Sequence, residues 1–317
     1  MRKRSGSRSK AGNSEPSTKP NGASSENGSR STKAVNGEKG DRSMPFAFAD
    51  KVVIITGSSS GIGQDAAVLF AEHGASVVIH GQSEERIKKT EQLLSDAGIP
   101  PSKSLTILGS LENDSTLSEI IEKTVAKFGK VDILVNNAGI MGNPALGQSG
   151  MDSIENFDYV FRVNLRSVVH LTQLAIPYLE KTKGNVVNVG SIGSQRANYD
   201  IMYYVMAKAA LDHFTKCAAV LYAPKEIRVN SVLPGATDTN FLSRHGIPED
   251  VIKAGTKIYA EKFIPMGRMG RPREVASVIK FLASPEASYV TGAIWIVDGA
   301  NCIMAPSLKE ANMDLKK

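Results

Sequence analysis

Thr56-Gly57-Ser58-Ser59-Ser60-Gly61-Ile62-Gly63 sits directly behind the apolar run Val52-Val53-Ile54-Ile55 and directly before a stretch with Ile62, Ala66, Leu69 and Phe70 at helical spacing. Few folds accommodate that succession. A short, unbroken apolar run is the mark of a strand buried on both faces, which requires helices on either side of its sheet. Glycine between strand and helix allows a tight turn, close approach of the backbone to a pyrophosphate, and close packing of helix on strand. The helix that follows presents unpaired N–H groups and the positive end of its dipole to such an anion. A turn of this kind can also serve packing alone. Its place at the opening of a strand–helix alternation favours a nucleotide.

The alternation continues through the chain. Val77-Val78-Ile79, Leu105 to Leu108, Ile133-Leu134-Val135, Val186 to Val189, Val229 to Val232 and Ile294 to Val297 repeat the strand signal. Glu84 to Ala97 and Ser115 to Phe128 read as intervening helices. Seven strands alternating with helices predict an α/β fold: one Rossmann-type domain with a seven-stranded, parallel, doubly wound sheet and helices on both faces. Ligands in such sheets bind beyond the carboxyl ends of the strands, so the segments just after each apolar run carry the chemistry.

Charge narrows the function classes. The 317 residues include 38 Lys and Arg against 32 Asp and Glu. Residues 1–44 hold ten of the basic and four of the acidic side chains, which leaves 28 of each and no net charge for the remainder. A nucleic-acid-binding body loses its main support. The Ser-, Gly-, Asn- and Lys-rich segment 1–44 has almost nothing to bury and is expected to be a disordered basic tail. It lacks the apolar core of a secretory signal, and Met44 is a second possible start. The folded domain is expected over 45–304, followed by a tail at 305–317. No apolar run reaches the ~18 to 20 residues that cross a bilayer. With only Cys217 and Cys302 there is no disulfide framework and no metal site, and both thiols are expected as buried apolar fillers in a reducing compartment.

Tyr204-Val205-Met206-Ala207-Lys208 puts a phenol and an ammonium on one helix face. A tyrosine with its ordinary pKa near 10 is a poor base, and a neighbouring cation is expected to bring it towards the working range. Taken alone the pair is commonplace. Here it follows the strand Val186–Val189 and the serine Ser191, thirteen residues before Tyr204.

From about Lys51 to Cys302 the chain resembles the short-chain dehydrogenase/reductase family, whose glycine pattern is TGxxxGxG. The resemblance implies that Ser191 hydrogen-bonds the substrate oxygen, Tyr204 transfers the proton, and Lys208 tunes Tyr204 and binds the nicotinamide ribose. It implies that Asn164, in Phe161-Arg162-Val163-Asn164, holds a water in the proton relay. Asn136-Asn137-Ala138-Gly139 is similar to the family's NNAG, so Asn137, Ala138 and Gly139 are expected beside the cofactor. Gly57, Ser59, Ser60, Gly61, Ile62 and Gly63 would cradle its phosphates. Pro234-Gly235 resembles the motif beside the nicotinamide, with Thr237 or Thr239 reaching the carboxamide. In Val297-Asp298-Gly299, Ala300 replaces the usual second glycine, an exchange expected to alter only a turn.

NAD enzymes place a carboxylate on the adenosine ribose about 20 residues beyond the turn. That count falls at Gly81, in His80-Gly81-Gln82-Ser83, with no acid before Glu84. NADP(H) is therefore favoured over NAD(H), although no basic residue stands at Ser60 or Gln82, and His80 and Gln82 are left as the phosphate contacts. Ser110 stands where family members often carry an adenine-contacting Asp, with Leu111 beside it. The stretch at about 240–264, with Phe241, Leu242, Arg244, His245, Ile247, Val251, Ile252, Ile258, Tyr259 and Phe263, is expected to be a substrate lid over a lipophilic or medium-sized carbonyl, or simply to pack on the body.

These readings converge on a cytoplasmic, NAD(P)-dependent oxidoreductase that exchanges hydride between nicotinamide and a small alcohol or carbonyl, working as a homodimer or homotetramer. The competing reading is a catalytically silent dinucleotide-binding scaffold or redox sensor. Intact Asn164, Ser191, Tyr204 and Lys208 argue against it.

Overall fold

The computed structural model describes residues 47–146, 152–243 and 248–304. The expected tails at 1–44 and 305–317, and Arg244, His245 and Ile247 of the expected lid, lie outside the described residues.

Seven parallel strands form one sheet in the order β3-β2-β1-β4-β5-β6-β7. They are β1 (Val52–Ile55), β2 (Ser76–Gly81), β3 (Ser104–Leu108), β4 (Ile133–Asn136), β5 (Asn185–Val189), β6 (Arg228–Pro234) and β7 (Ile294–Val297). β1 shows why the apolar runs are unbroken. Val53 and Ile55 join a core shared with α1 (Gly61–Glu72) and α8 (Pro272–Ala283) on one face. Ile54 points the other way, into a core with α3 (Asp114–Phe128) and α5 (Ser167–Thr182). Alternate side chains point to opposite faces, so a strand covered on both sides must be apolar throughout, each such side chain contributing about 1.5–3 kcal/mol.

The sheet order reverses between β1 and β4, which places a crevice at their carboxyl ends. Ionic fastening lies at the opposite end. The buried Asp132 carboxylate, before β4, accepts from the Val52 N–H at 2.9 Å and meets Lys51 at 3.1 Å and Lys130 at 3.0 Å.

The remaining helices are α2 (Glu84–Asp96), α4 (Ile154–Phe161), α6 (Met202–Tyr222) and α7 (Glu249–Phe263). α4 runs into α5 through a π-turn at Arg162–Arg166 that carries Asn164. Such a bulge re-aims one side chain without ending the helix. The expectation of two buried cysteines is corrected: Cys217 is exposed and Cys302 only half-buried. Cys217 falls on the outward side of α6, whose inward side is taken by Lys208, Leu211, Asp212 and Thr215.

Candidate active site

A continuous cavity of about 1140 Å³ opens at the carboxyl ends of the strands. One end is walled by the glycine turn, the end of β2 and the start of α2. The middle is walled by the segments after β4, β5 and β6, and the far end by 241–242 and α7.

Two glycines show why the turn has its sequence. Gly57 has φ +64°, and a Cβ there would stand 2.8 Å from Ala138 Cα, so strand-end segments 57 and 138 touch only because Gly57 has no side chain. A Cβ on Gly63 would lie 2.6 Å from the Gly57 carbonyl oxygen and closer still to Asn137 Nδ2. That amide donates to the carbonyls of Thr56 (2.9 Å) and Gly57 (3.1 Å), while the Thr56 hydroxyl accepts from the N–H of Asn137 and of Ala138 at 3.1 Å. Thus the NNAG segment holds the turn in shape. Gly63 serves this packing and does not line the cavity, whereas Gly57, Ser59, Ser60, Gly61, Ile62, Asn137, Ala138 and Gly139 do.

The catalytic candidates converge. Ser191 follows β5, and its hydroxyl accepts from the Gly193 N–H at 3.0 Å. A Cβ built on Gly193 would stand 3.2 Å from Ser191 Oγ and 3.7 Å from Tyr204 Cε1, so both groups close on one point. Lys208, one turn after Tyr204, is buried; its ammonium donates to the Val189 carbonyl at 2.7 Å and lies 5.8 Å from the centre of the Tyr204 ring. A Cβ at Gly139 would meet Lys208 Nζ at 3.3 Å and Asn164 Oδ1 at 3.5 Å. Asn164 is fully buried, outside the cavity wall; it accepts from the Ile140 N–H at 2.9 Å and donates to the Ile140 carbonyl at 2.7 Å. Its amide thereby fixes the segment after β4.

Burial changes the proton affinities. It pushes the Lys208 ammonium down to about 8, with the Asp212 carboxylate opposing. It also pushes the Tyr204 phenol above its ordinary value, with the Ser191 hydroxyl pulling the other way. The expectation that Lys208 lowers Tyr204 is therefore corrected: loss of hydration outweighs a cation that sits across the ring and is bonded elsewhere. The raised phenol keeps its proton at neutral pH.

A second correction concerns His80. It is buried, its Nδ1 accepts from the Gly57 N–H at 3.3 Å, and its Nε2–H donates to the Gly109 carbonyl at 3.1 Å. That pair of bonds requires the neutral ring, and burial pushes its pKa down to about 4. It offers a phosphate no charge; it ties the glycine turn to the strand ends beside it. Ser110 lies off the cavity wall, engaged with Gln82 (3.4 Å) and Glu112 (3.2 Å), while Leu111 and Gln82 line it.

The basic group that sequence reasoning did not find is Arg86. It lies in the first turn of α2, one turn beyond Gln82, lines the same end of the cavity, and has a buried Nε with no hydrogen-bond partner among the described residues. Among the described residues no Asp or Glu lines the cavity. A turn that admits a backbone-close pyrophosphate, an orphaned guanidinium nitrogen and a wall without acids among the described residues together fit a nicotinamide dinucleotide.

Pro234 and Gly235 close the cavity after β6, and Thr237 and Thr239 line it, Thr237 donating to the Gly235 carbonyl at 3.0 Å. Phe241, Leu242, Val251, Ile252, Tyr259 and Phe263 of the expected lid line its far end, with the Phe241 ring 6.0 Å from that of Tyr204. Ile258 points outward and is half-exposed. The Ala300 position is more than an ordinary turn, since its φ of +71° is one that a glycine would adopt freely.

The family model described as Enoyl-(Acyl carrier protein) reductase matches residues 57–300. The 3-oxoacyl-[acyl-carrier-protein] reductase FabG of Thermotoga maritima is 39% identical over 251 residues, which is 78% of this chain and 96% of that protein. Among solved structures, a short-chain dehydrogenase/reductase of unknown function from Caenorhabditis elegans, determined with cofactor, is 37% identical with a TM-score of 0.79, covering 82% of this chain and 97% of the other. The apo form of Caenorhabditis elegans glucose dehydrogenase is 40% identical with a TM-score of 0.71, covering 81% and 99%.

Proposed function

The chain belongs to the short-chain dehydrogenase/reductase family and is an NAD(P)-dependent oxidoreductase of alcohol and carbonyl groups, and from that premise we propose that Ser191, Tyr204 and Lys208 do the work, with NADP(H) as the preferred cofactor. When bound, the nicotinamide gives or takes the hydride. Ser191 holds the substrate oxygen by a hydrogen bond. Tyr204, kept protonated by burial, gives its proton to that oxygen in reduction and recovers it in oxidation. Lys208 supplies positive charge beneath the phenol, which favours the phenolate left behind, and binds the nicotinamide ribose. Asn164 holds the segment Asn137 to Ile140 that borders them. The convergence of Ser191 Oγ and the Tyr204 ring beside Gly193, in one cavity with the glycine turn, carries this reading.

Preference for NADP(H) rests on Arg86 and Gln82 at the ribose end and on there being no carboxylate among the described residues at that end to repel a 2′-phosphate. The apolar side chains of 241–263 suit a lipophilic or medium-sized carbonyl, under a lid formed by about residues 240–264. We assign the folded domain to 45–304, the cytoplasm as its compartment, and a homodimer or homotetramer as its assembly. Among the described residues no helix is long and apolar enough to cross a membrane.

Two measurements test this together. NADPH and NADH are titrated by nicotinamide fluorescence, and wild type and Tyr204→Phe are assayed on a panel of alcohols and carbonyls. Binding of cofactor by both proteins, with turnover falling at least about a thousandfold in the variant, is the expected result. Equal turnover by the two would remove Tyr204 from the chemistry.

A further inference from the structure

Among the described residues, three cationic side chains line the cavity and no acidic one does. Arg86 lies at the ribose end and Lys208 beneath Tyr204. Arg196 is left over, five residues after Ser191, at the end walled by α7. Its surroundings are unusual for an arginine. One guanidinium nitrogen donates to the Asn301 backbone carbonyl at 3.0 Å; the other donates to Asn301 Oδ1 at 3.0 Å and faces the Tyr259 hydroxyl at 3.4 Å. Asn301 is buried and Tyr259 donates to the same Oδ1 at 3.0 Å, so the plane of the guanidinium is fixed from behind.

All these partners are neutral. Arg196 forms no ion pair with a carboxylate among the described residues, and these bonds use three of its five N–H donors at most. An arginine held in place by neutral acceptors, with donors to spare on an acid-free cavity wall, is preorganised for an external planar anion. A structural strut joining 196 to 301 would need neither the position on the cavity wall nor the full positive charge.

We propose that Arg196 selects substrates whose apolar body carries a carboxylate remote from the reacting carbonyl or alcohol. The proposal rests on the reading of this cavity as a nicotinamide-dependent active site. The apolar wall of α7 takes the body, Ser191 and Tyr204 take the reacting oxygen, and the guanidinium takes the carboxylate through the N–H donors that its bonds to Asn301 and Tyr259 leave over.

The test uses the full chain saturated with NADPH, whose own binding is titrated first. Cyclohexanecarboxylate and its neutral isostere cyclohexanecarboxamide are then titrated into the complex, following nicotinamide fluorescence and heat. Wild type is expected to bind the acid at least about tenfold more tightly than the amide, a preference that weakens with added salt. Arg196→Gln should bring that ratio close to one, and Arg196→Lys should keep part of it. Equal affinity of the wild-type complex for acid and amide, failure of the acid to bind, or a preference that survives in Arg196→Gln would each overturn the assignment while leaving the active-site reading intact. Failure to bind NADPH would overturn both.

Discussion

Replacing Lys208 with Met should remove a pH dependence of stability that the wild type carries above neutrality. Lys208 is 3% exposed, and burial lowers its pKa from 10.5 to about 8. Below pH 8 the folded and unfolded chains both hold this proton, and the folded chain bears the cost of a buried ammonium. Between about 8 and 10.5 the folded chain has released the proton while the unfolded chain still holds it. The unfolded state then binds more protons, so stability rises with pH across that window. This is the reverse of a lysine whose folded pKa is raised by a salt bridge. At about 1.4 kcal/mol per pH unit, the full window is worth roughly 3 kcal/mol.

Tyr204 opposes this at the upper end. Its folded pKa is raised above 10, so stability falls with pH once the unfolded tyrosines begin to ionise. The useful range is therefore pH 7.5 to 9.5, over which Lys208 accounts for about 2 kcal/mol. Urea unfolding of wild type and Lys208→Met at matched protein and salt concentrations gives the comparison, with the two m-values checked for equality. The free-energy difference, wild type minus variant, should climb by about that amount as pH rises. A flat difference would mean that the ammonium is as well solvated in the folded protein as in water. A falling one would mean that Asp212 outweighs burial.

Three further substitutions follow from the same geometry. Arg86→Gln should weaken NADP(H) binding about tenfold and change NAD(H) binding by less than about twofold, by fluorescence titration, since only the 2′-phosphate meets the guanidinium; equal losses for both cofactors would place Arg86 elsewhere. Gly63→Ala should lower unfolding stability by about 2–3 kcal/mol, because the new methyl displaces Asn137 from the carbonyls of Thr56 and Gly57. Ala300→Gly should raise stability by about 0.5–1 kcal/mol by relieving φ +71°, seen as a higher urea midpoint with unchanged m.

The sheet was legible because its signal is local. A parallel strand buried on both faces is mostly apolar, and Val52–Ile55 announces that in four residues. The glycine turn and the Tyr204/Lys208 spacing are local in the same sense, since three or four consecutive backbone geometries determine who stands beside whom. Lys208 and Tyr204 do sit one turn apart, yet the effect of that neighbour on the phenol depended on burial, which spacing does not report. His80 shows the same limit. Its position near the end of β2 suggested a phosphate contact, but the Gly57 N–H and the Gly109 carbonyl, 23 and 29 residues away, consume both ring nitrogens and fix it neutral.

Arg86 and Arg196 were hidden for a deeper reason. An arginine in a sequence is most economically a solvated charge or half of a surface ion pair, as Arg166 and Arg268 are here with Asp114 and Glu274. What marks Arg86 and Arg196 out is that, among the described residues, no carboxylate stands on a wall built from segments as distant as 57, 190 and 259. That absence is a property of the closed surface and of no segment within it. The motif residues of this active site could therefore be read along the chain, whereas the charge selectivity we propose for it, for a 2′-phosphate at one end and a carboxylate at the other, rests only on how the chain is folded around it.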